Sequence, residues 1–217
     1  MNHSASFRGR SALRVALLLV VAGCQSNVKT PFPPGLEPLA DNPVVLGAMT
    51  ETLVTKTSDS PYVKIFAKGY VLVPPAQLWA AAKSPAPNMA ICSTDAQMPT
   101  VNNDPSYEYS FLVHYTVNNF VTVEWDDQWR FGTVEGTPEA PTLAMIKHQK
   151  TQGSSFISLS EGTIELDATD DPNVSILSFV EYLDATSAGV SDVLKGVTHN
   201  YQSLVSVAHG GPVTACP

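Results

Sequence analysis

GVSDVLKGVTHNYQSLVSVAHG, residues 189–210, is the stretch whose period decides the fold. At about 100° per residue, Val190, Val193, Leu194, Val197, Tyr201, Leu204, Val205 and Ala208 share one face of a helix. Asp192, Lys195, His199, Gln202 and Ser206 share the other, which places His199 in water. From Tyr62 to Ala185 the other strongly patterned segments are mostly strand-like, so this apolar face needs a sheet to lie on. The expected class is α+β: a curved antiparallel sheet of about six strands around a long C-terminal helix.

Moving outward from the helix, Val174 to Ala185, Ser155 to Asp167 and Thr142 to Thr151 read as strands, separated by Gly153 and by the turn sequence Asp170-Asp171-Pro172-Asn173. Before them, Tyr107 to Val117 alternates strictly, and Asn118-Asn119 turns it back into Phe120 to Arg130. In that second strand Val121, Val123, Trp125 and Trp129 share a face, while Thr122, Glu124, Asp126 and Gln128 form a polar, wet one. Tyr62 to Val73 is the first strand; Pro74-Pro75 end it, because proline cannot donate to a ladder. Pro75 then suits the first turn of a helix through Gln77, Leu78, Trp79 and Ala82. Residues 84–105 read as loop with one helical turn at Thr94 to Gln97, and residues 48–60 as a short helix or an irregular lead-in.

The N-terminus carries a different signal. Arg8, Arg10 and Arg14 precede an apolar run from Val15 to Ala22, too short for a permanent membrane span and suited to a secretory signal. Val21-Ala22-Gly23-Cys24 resembles the bacterial lipoprotein lipobox, which implies cleavage after residue 23 and diacylglycerol on Cys24. Such chains anchor a protein stably to a membrane, at about 0.8 kcal/mol per buried methylene. The expected location is the bacterial cell envelope, and Gln25 after the cysteine favours the outer membrane by resemblance to sorting rules. Residues 24–60 then form a lipidated, proline-rich tether, 61–210 the folded domain and 211–217 a tail.

Loss of the leader removes three arginines and takes the formal charge from −8 to −11. Without clustered Lys and Arg, nucleic acid is a poor partner and charge-driven binding to acidic membranes is disfavoured. With Cys24 lipidated, Cys92 and Cys216 remain in an oxidising compartment and read as a disulfide, two buried free thiols being the alternative. No local Cys/His spacing matches a zinc site, and no metal or cofactor is expected.

The order of elements, carried by Tyr70-Val71-Leu72-Val73-Pro74-Pro75-Ala76-Gln77-Leu78-Trp79, by Glu161-Gly162-Thr163-Ile164-Glu165-Leu166, and by the Asp192 to Gly210 helix with its Ser203-Leu204, resembles the START-like, or SRPBCC, helix-grip superfamily. The resemblance spans about residues 62–210. It implies a cavity between helix and sheet that accepts an apolar ligand, lined here by Phe111, Val123, Trp125, Val197 and Tyr201. Some members of the superfamily are cyclases or hydrolases, and a cavity-less envelope interaction protein is a third reading.

Motifs for nucleophilic, metalloprotease or phosphate chemistry are absent, so no catalytic residue is assigned. His114 reads as a hydrogen-bonded structural histidine, His148 as an exposed strand residue, and His209 as a complement to the helix dipole. Glu124 and Asp126 read as a solvated strand face beside Asp127. Glu161 projects with Ile157 and Leu159; were that face concave it would be the best polar candidate in the cavity, and otherwise it lies at the surface. Arg130 reads as one half of a surface ion pair, with clamping of an acidic ligand as the alternative.

Overall fold

The computed structural model describes residues 35–216 apart from 90, 93, 102, 103 and 119. The leader, the lipobox and the first part of the tether lie outside the described residues. Eight strands form one antiparallel sheet: β1 (Val54–Ser58), β2 (Val63–Val71), β3 (Ala96–Val101), β4 (Tyr109–Asn118), β5 (Thr122–Thr137), β6 (Ala140–Gly153), β7 (Ile157–Ala168) and β8 (Ser175–Ala185). Their order across the sheet is β1-β2-β8-β7-β6-β5-β4-β3. Three helices complete the fold: α1 (Pro75–Ala82), α2 (Pro85–Asn88) and α3 (Val190–Ala208). This is a curved sheet gripping a C-terminal helix, as the period of residues 189–210 predicts.

The two strands beyond the expected six are the edges. β1 is short, polar and exposed along its length, so no buried face marks it in the sequence. β3 contains Pro99, a residue that only an edge strand tolerates, and it occupies the place where one helical turn was expected.

On the inner side, α3 packs against β2, β8, α1 and α2. Gly69 is the point of closest approach on β2: a Cβ there would lie 2.7 Å from the Tyr201 ring. The Tyr201 hydroxyl donates to the Tyr70 carbonyl at 2.6 Å, which satisfies the buried phenol. The start of α3 is fixed by Asp192, whose carboxylate accepts the Gly189 N–H at 3.1 Å and complements the helix dipole. Cys92 and Cys216 form the disulfide, closing a separation of 124 residues and pinning the tail beside α3.

The helix is covered on more than the face its period defines. His199 is 2% exposed, because α2 and the tail cover that flank: Asn200 donates to the Asn88 carbonyl, and Ser203 and Thr214 share a hydrogen bond at 2.7 Å. The expectation that His199 faces water is therefore corrected. Val197, Tyr201, Leu204 and Ala208 are buried, whereas Val190, Val193, Leu194 and Val205 are only half-buried.

The outer face of the sheet is covered too. The stretch read as tether is extended from residue 35 onward and lies as a strap across it. Leu36 sits over Gly132, Glu37 approaches Lys147 at 3.8 Å, and the Asn42 amide donates to Ala67 O, Ser178 Oγ and Phe179 O. A pocket of about 240 Å³ remains between strap and sheet, with Asp41, Lys68 and Glu165 among its walls. Both faces of β6 are consequently buried, and Lys147, His148, Gln149 and Lys150 all lose solvent.

Gly69→Val should push the Tyr201 ring off β2 and break its bond to Tyr70. Overpacking of this kind costs about 2 kcal/mol, to be read as a lower denaturation midpoint with unchanged slope.

Candidate functional site

The inner face carries a row of residues in register across six neighbouring strands: Phe111, Trp129, His148, Gly162, Glu181 and Ile65. Phe111 and Trp129 stack with ring centroids 5.7 Å apart, and Trp129 stacks on the His148 ring at 4.3 Å. His148 Nε2 then meets Glu181 Oε2 at 2.8 Å, although β7 lies between their strands. Gly162 makes this possible: a Cβ there would lie 2.2 Å from both atoms. A glycine inside a strand marks just such a close approach.

Asp127 adds a third titratable group beside this row. It pairs across to Val113 on the inner face and is buried. Burial, reinforced by the Glu181 charge, raises its carboxyl to about 7, against the opposing pull of His148, of the nearby Trp125 indole N–H and of Lys150. Burial pulls the His148 pKa down, but Glu181, Asp127 and Glu161 outweigh it and leave it raised. Lys150 caps the site by donating to the Ser154 and Ile157 carbonyls at 2.7 and 2.6 Å. Asp127 Oδ1 and His148 Nδ1 are buried without a hydrogen-bond partner among the described residues.

Around these polar groups the inner space is filled by packed side chains. Trp79, Phe111, Tyr115 and Phe131 are at most 1% exposed. Tyr115 stacks on Trp125 at 5.1 Å and donates to the Met89 carbonyl. Phe111, Trp125, Val197 and Tyr201 all belong to this core, and Val123 packs against it half-buried. Val197 and Tyr201 are on α3, which packs over β2 and β8, while Phe111, Val123 and Trp125 stand on β4 and β5.

Several polar residues stand where the sequence did not place them. His148 is buried on the inner face, not exposed, because Trp129 stacks on its ring and Glu181 takes its Nε2. Asp126 and Gln128 are buried rather than wet: Gln128 donates to the Phe111 and Trp129 carbonyls, and Asp126 bonds His114 and Gln152. Glu161 is on the outer face and buried, beside Lys147, neither in the inner space nor at the surface. A bulge between Ile157 and Leu159 breaks the alternation, so Ile157 points inward while Leu159 and Glu161 point outward. Arg130 lies 3.7 Å from Asp104 and over the Tyr107 ring, in keeping with an ion pair away from the inner face. His209 pairs with Glu51 at 2.7 Å beyond the end of α3.

A groove of about 480 Å³ opens on the outer side at the β5–β6 end, lined by His114, Glu124, Trp125, Asp126, Gln152 and Ser154, with Thr122 and Gly153. His114 Nδ1 is 2.6 Å from Asp126 Oδ1, which leaves Nε2 toward Glu124 at 4.0 Å. Trp125 is among the residues that line the groove, and its ring stacks on Tyr115.

No protein-family model and no curated protein sequence matches the chain. Among solved structures, the fold is similar to human STARD10, with a TM-score of 0.51, 8% identity, and 77% of this chain and 74% of that one covered. It is also similar to the human StarD13 (DLC2) lipid transfer and protein localization domain, with a TM-score of 0.50, 9% identity, and 76% and 87% covered. An aromatase/cyclase, Zhui from Streptomyces sp. R1128, aligns at a TM-score of 0.46 and 11% identity over 67% and 93%. The chain thus has the START-type helix-grip fold; identities this low define architecture and not activity.

Gly162→Ala should force His148 and Glu181 apart and leave two buried charges uncompensated, a loss of about 3 kcal/mol in chemical unfolding. The pH dependence follows from the raised pKa values of Asp127 and His148. Each group binds its proton more tightly when folded, so its contribution is full below the unfolded pKa and is lost as pH rises through the folded one. Stability should fall as pH rises from about 4 to about 7, the raised pKa of Asp127 setting the upper end of that window. Asp127→Asn should remove one proton's share, about 1.4 kcal/mol per pH unit, from the slope between about pH 4 and 7. Glu165, also raised to about 7 by burial and its bond to Asp167, should keep its own share.

Proposed function

We propose that this chain is a lipid-anchored protein of the bacterial envelope that binds a small apolar ligand with one polar end between sheet and helix. The observation that carries this reading is the polar trio Asp127, His148 and Glu181 set in an aromatic inner wall, with Asp127 Oδ1 and His148 Nδ1 unpaired. Small-molecule sites combine mostly apolar walls with a few converging polar groups. A buried acceptor left unpaired costs about 1–3 kcal/mol, a cost that a ligand hydroxyl or amine would relieve. The packed rings have to move to admit such a ligand. Trp125, standing between the outer groove and Tyr115, is the ring that would open the way. The membrane anchor of this reading is the lipid on Cys24.

A second reading is favoured by the same trio. His148, bonded to Glu181 and stacked on Trp129, has the partners of an oriented acid/base group, which would make the protein a cyclase- or hydrolase-like enzyme. His148→Gln separates the two: a binder holds the same molecule, chemically unaltered and more weakly, whereas an enzyme accumulates unconverted substrate.

Native mass spectrometry of the chain purified from its own host should show a bound small molecule, and Asp127→Leu should lower its affinity about tenfold or more. An unliganded mass from gently prepared material, together with no binding of apolar fluorescent probes, would contradict the reading. Cys24→Ser should move the protein from the membrane fraction to the soluble envelope fraction; retention on the membrane would remove the anchor from the account.

A further inference from the structure

Three residues far apart in sequence meet beside the C-terminal tail. Cys92 follows α2, His199 is on α3 and Cys216 is in the tail, and one ligand atom from each lies within 4.8 Å of the others. The two sulfurs are joined as a disulfide. We propose that this cluster is a redox-gated metal site: closed while the disulfide stands, and a Cys₂His site for a zinc-class divalent cation once it is reduced.

Two thiolates and one imidazole are the donor set that borderline-soft d¹⁰ cations prefer, and three protein ligands leave a fourth position for water. His199 is prepared for the part. It is buried, and its ring is held between the Ser203 and Thr214 hydroxyls. Its Nδ1 lies 3.2 Å from the Thr214 hydroxyl and its Nε2 3.5 Å from the Ser203 hydroxyl. Whichever nitrogen takes the metal, a hydroxyl stands at the other to fix the ring, as the outer partners of metal-bound histidines do. Ser203 and Thr214 are themselves bonded at 2.7 Å, which holds the tail against α3 independently of the disulfide.

The gating chemistry needs a dithiol reductant. Its thiolate attacks one sulfur, the Cys92–Cys216 bond breaks, both cysteines leave as thiols, and the reductant departs as its own disulfide. A divalent cation then displaces the two thiol protons and takes the imidazole as third ligand. The site lies beside α2, α3 and the tail, away from the polar trio on the sheet, so it stands or falls independently of ligand binding.

Cobalt(II) is the probe, because thiolate ligation gives it a near-ultraviolet charge-transfer band. The full chain, reduced with a phosphine that ends as its oxide, should bind one equivalent with that band, and zinc should displace it. The oxidised chain should show no band. His199→Gln should weaken binding about tenfold or more, and His199→Cys, which keeps a ligand at that position, should restore it. The proposal is overturned if the reduced chain shows no band at one equivalent, if it loses its fold on reduction, or if folded His199→Gln binds as tightly as the parent. Should neither variant fold, the contrast between oxidised and reduced parent chain decides alone.

Discussion

A charge pair that bridges two strands over a missing side chain constrains the rest of this molecule. His148 and Glu181 are on β6 and β8, and they meet at 2.8 Å only because Gly162 on the strand between them has no Cβ. Removing two such groups from water costs several kcal/mol each, and their attraction offsets this only with good geometry. The geometry is supplied by neighbours in the same row, with Trp129 pressed flat on the imidazole and Phe111 stacked behind it. The sheet must therefore keep its register across β5 to β8, since a slip of one residue on any strand would carry a member of the row to the opposite face.

The strap has the complementary role on the outer face. Residues 36–42 shield Lys147 and, through Asn42, bond β2 and β8. Burial of Lys147 lowers its pKa, and the nearby Glu37 and Glu161 carboxylates oppose that shift. A segment whose prolines suit it to an extended path thus becomes part of the domain. The sheet is consequently a layer buried on both sides through its middle, whereas antiparallel sheets commonly keep one face wet. One consequence is that a ligand can reach the inner row only from the ends or past a moving ring.

The architecture was legible because its strongest elements obey simple periods. The helix face of residues 189–210, the Pro74-Pro75 break before α1 and the alternation of residues 107–117 each follow from local sterics and burial. The edges were not legible, since β1 and β3 pair through backbone groups while their side chains stay mostly exposed. His148 and His199 were misplaced for one shared reason. Polar surroundings read as a wet face, but α2 and the tail cover that flank of α3 at His199, and His148, though between Lys147 and Gln149, points inward beneath Trp129. Glu161 was placed by counting through a bulge that the sequence does not announce. The polar row joins residues as distant as 111 and 181, so only Gly162, a glycine within an apolar strand, hinted at a close approach.

The central claim is that the unpaired Asp127 and His148 atoms mark where a ligand's polar end sits. A crystal structure of the chain purified from its own host, without extraction of bound material, tests it directly. The account predicts a small apolar molecule within hydrogen-bond distance of Asp127 Oδ1 or His148 Nδ1, with Trp125 displaced from Tyr115. The same rings closed over the trio, with no added molecule beside Asp127, would contradict it.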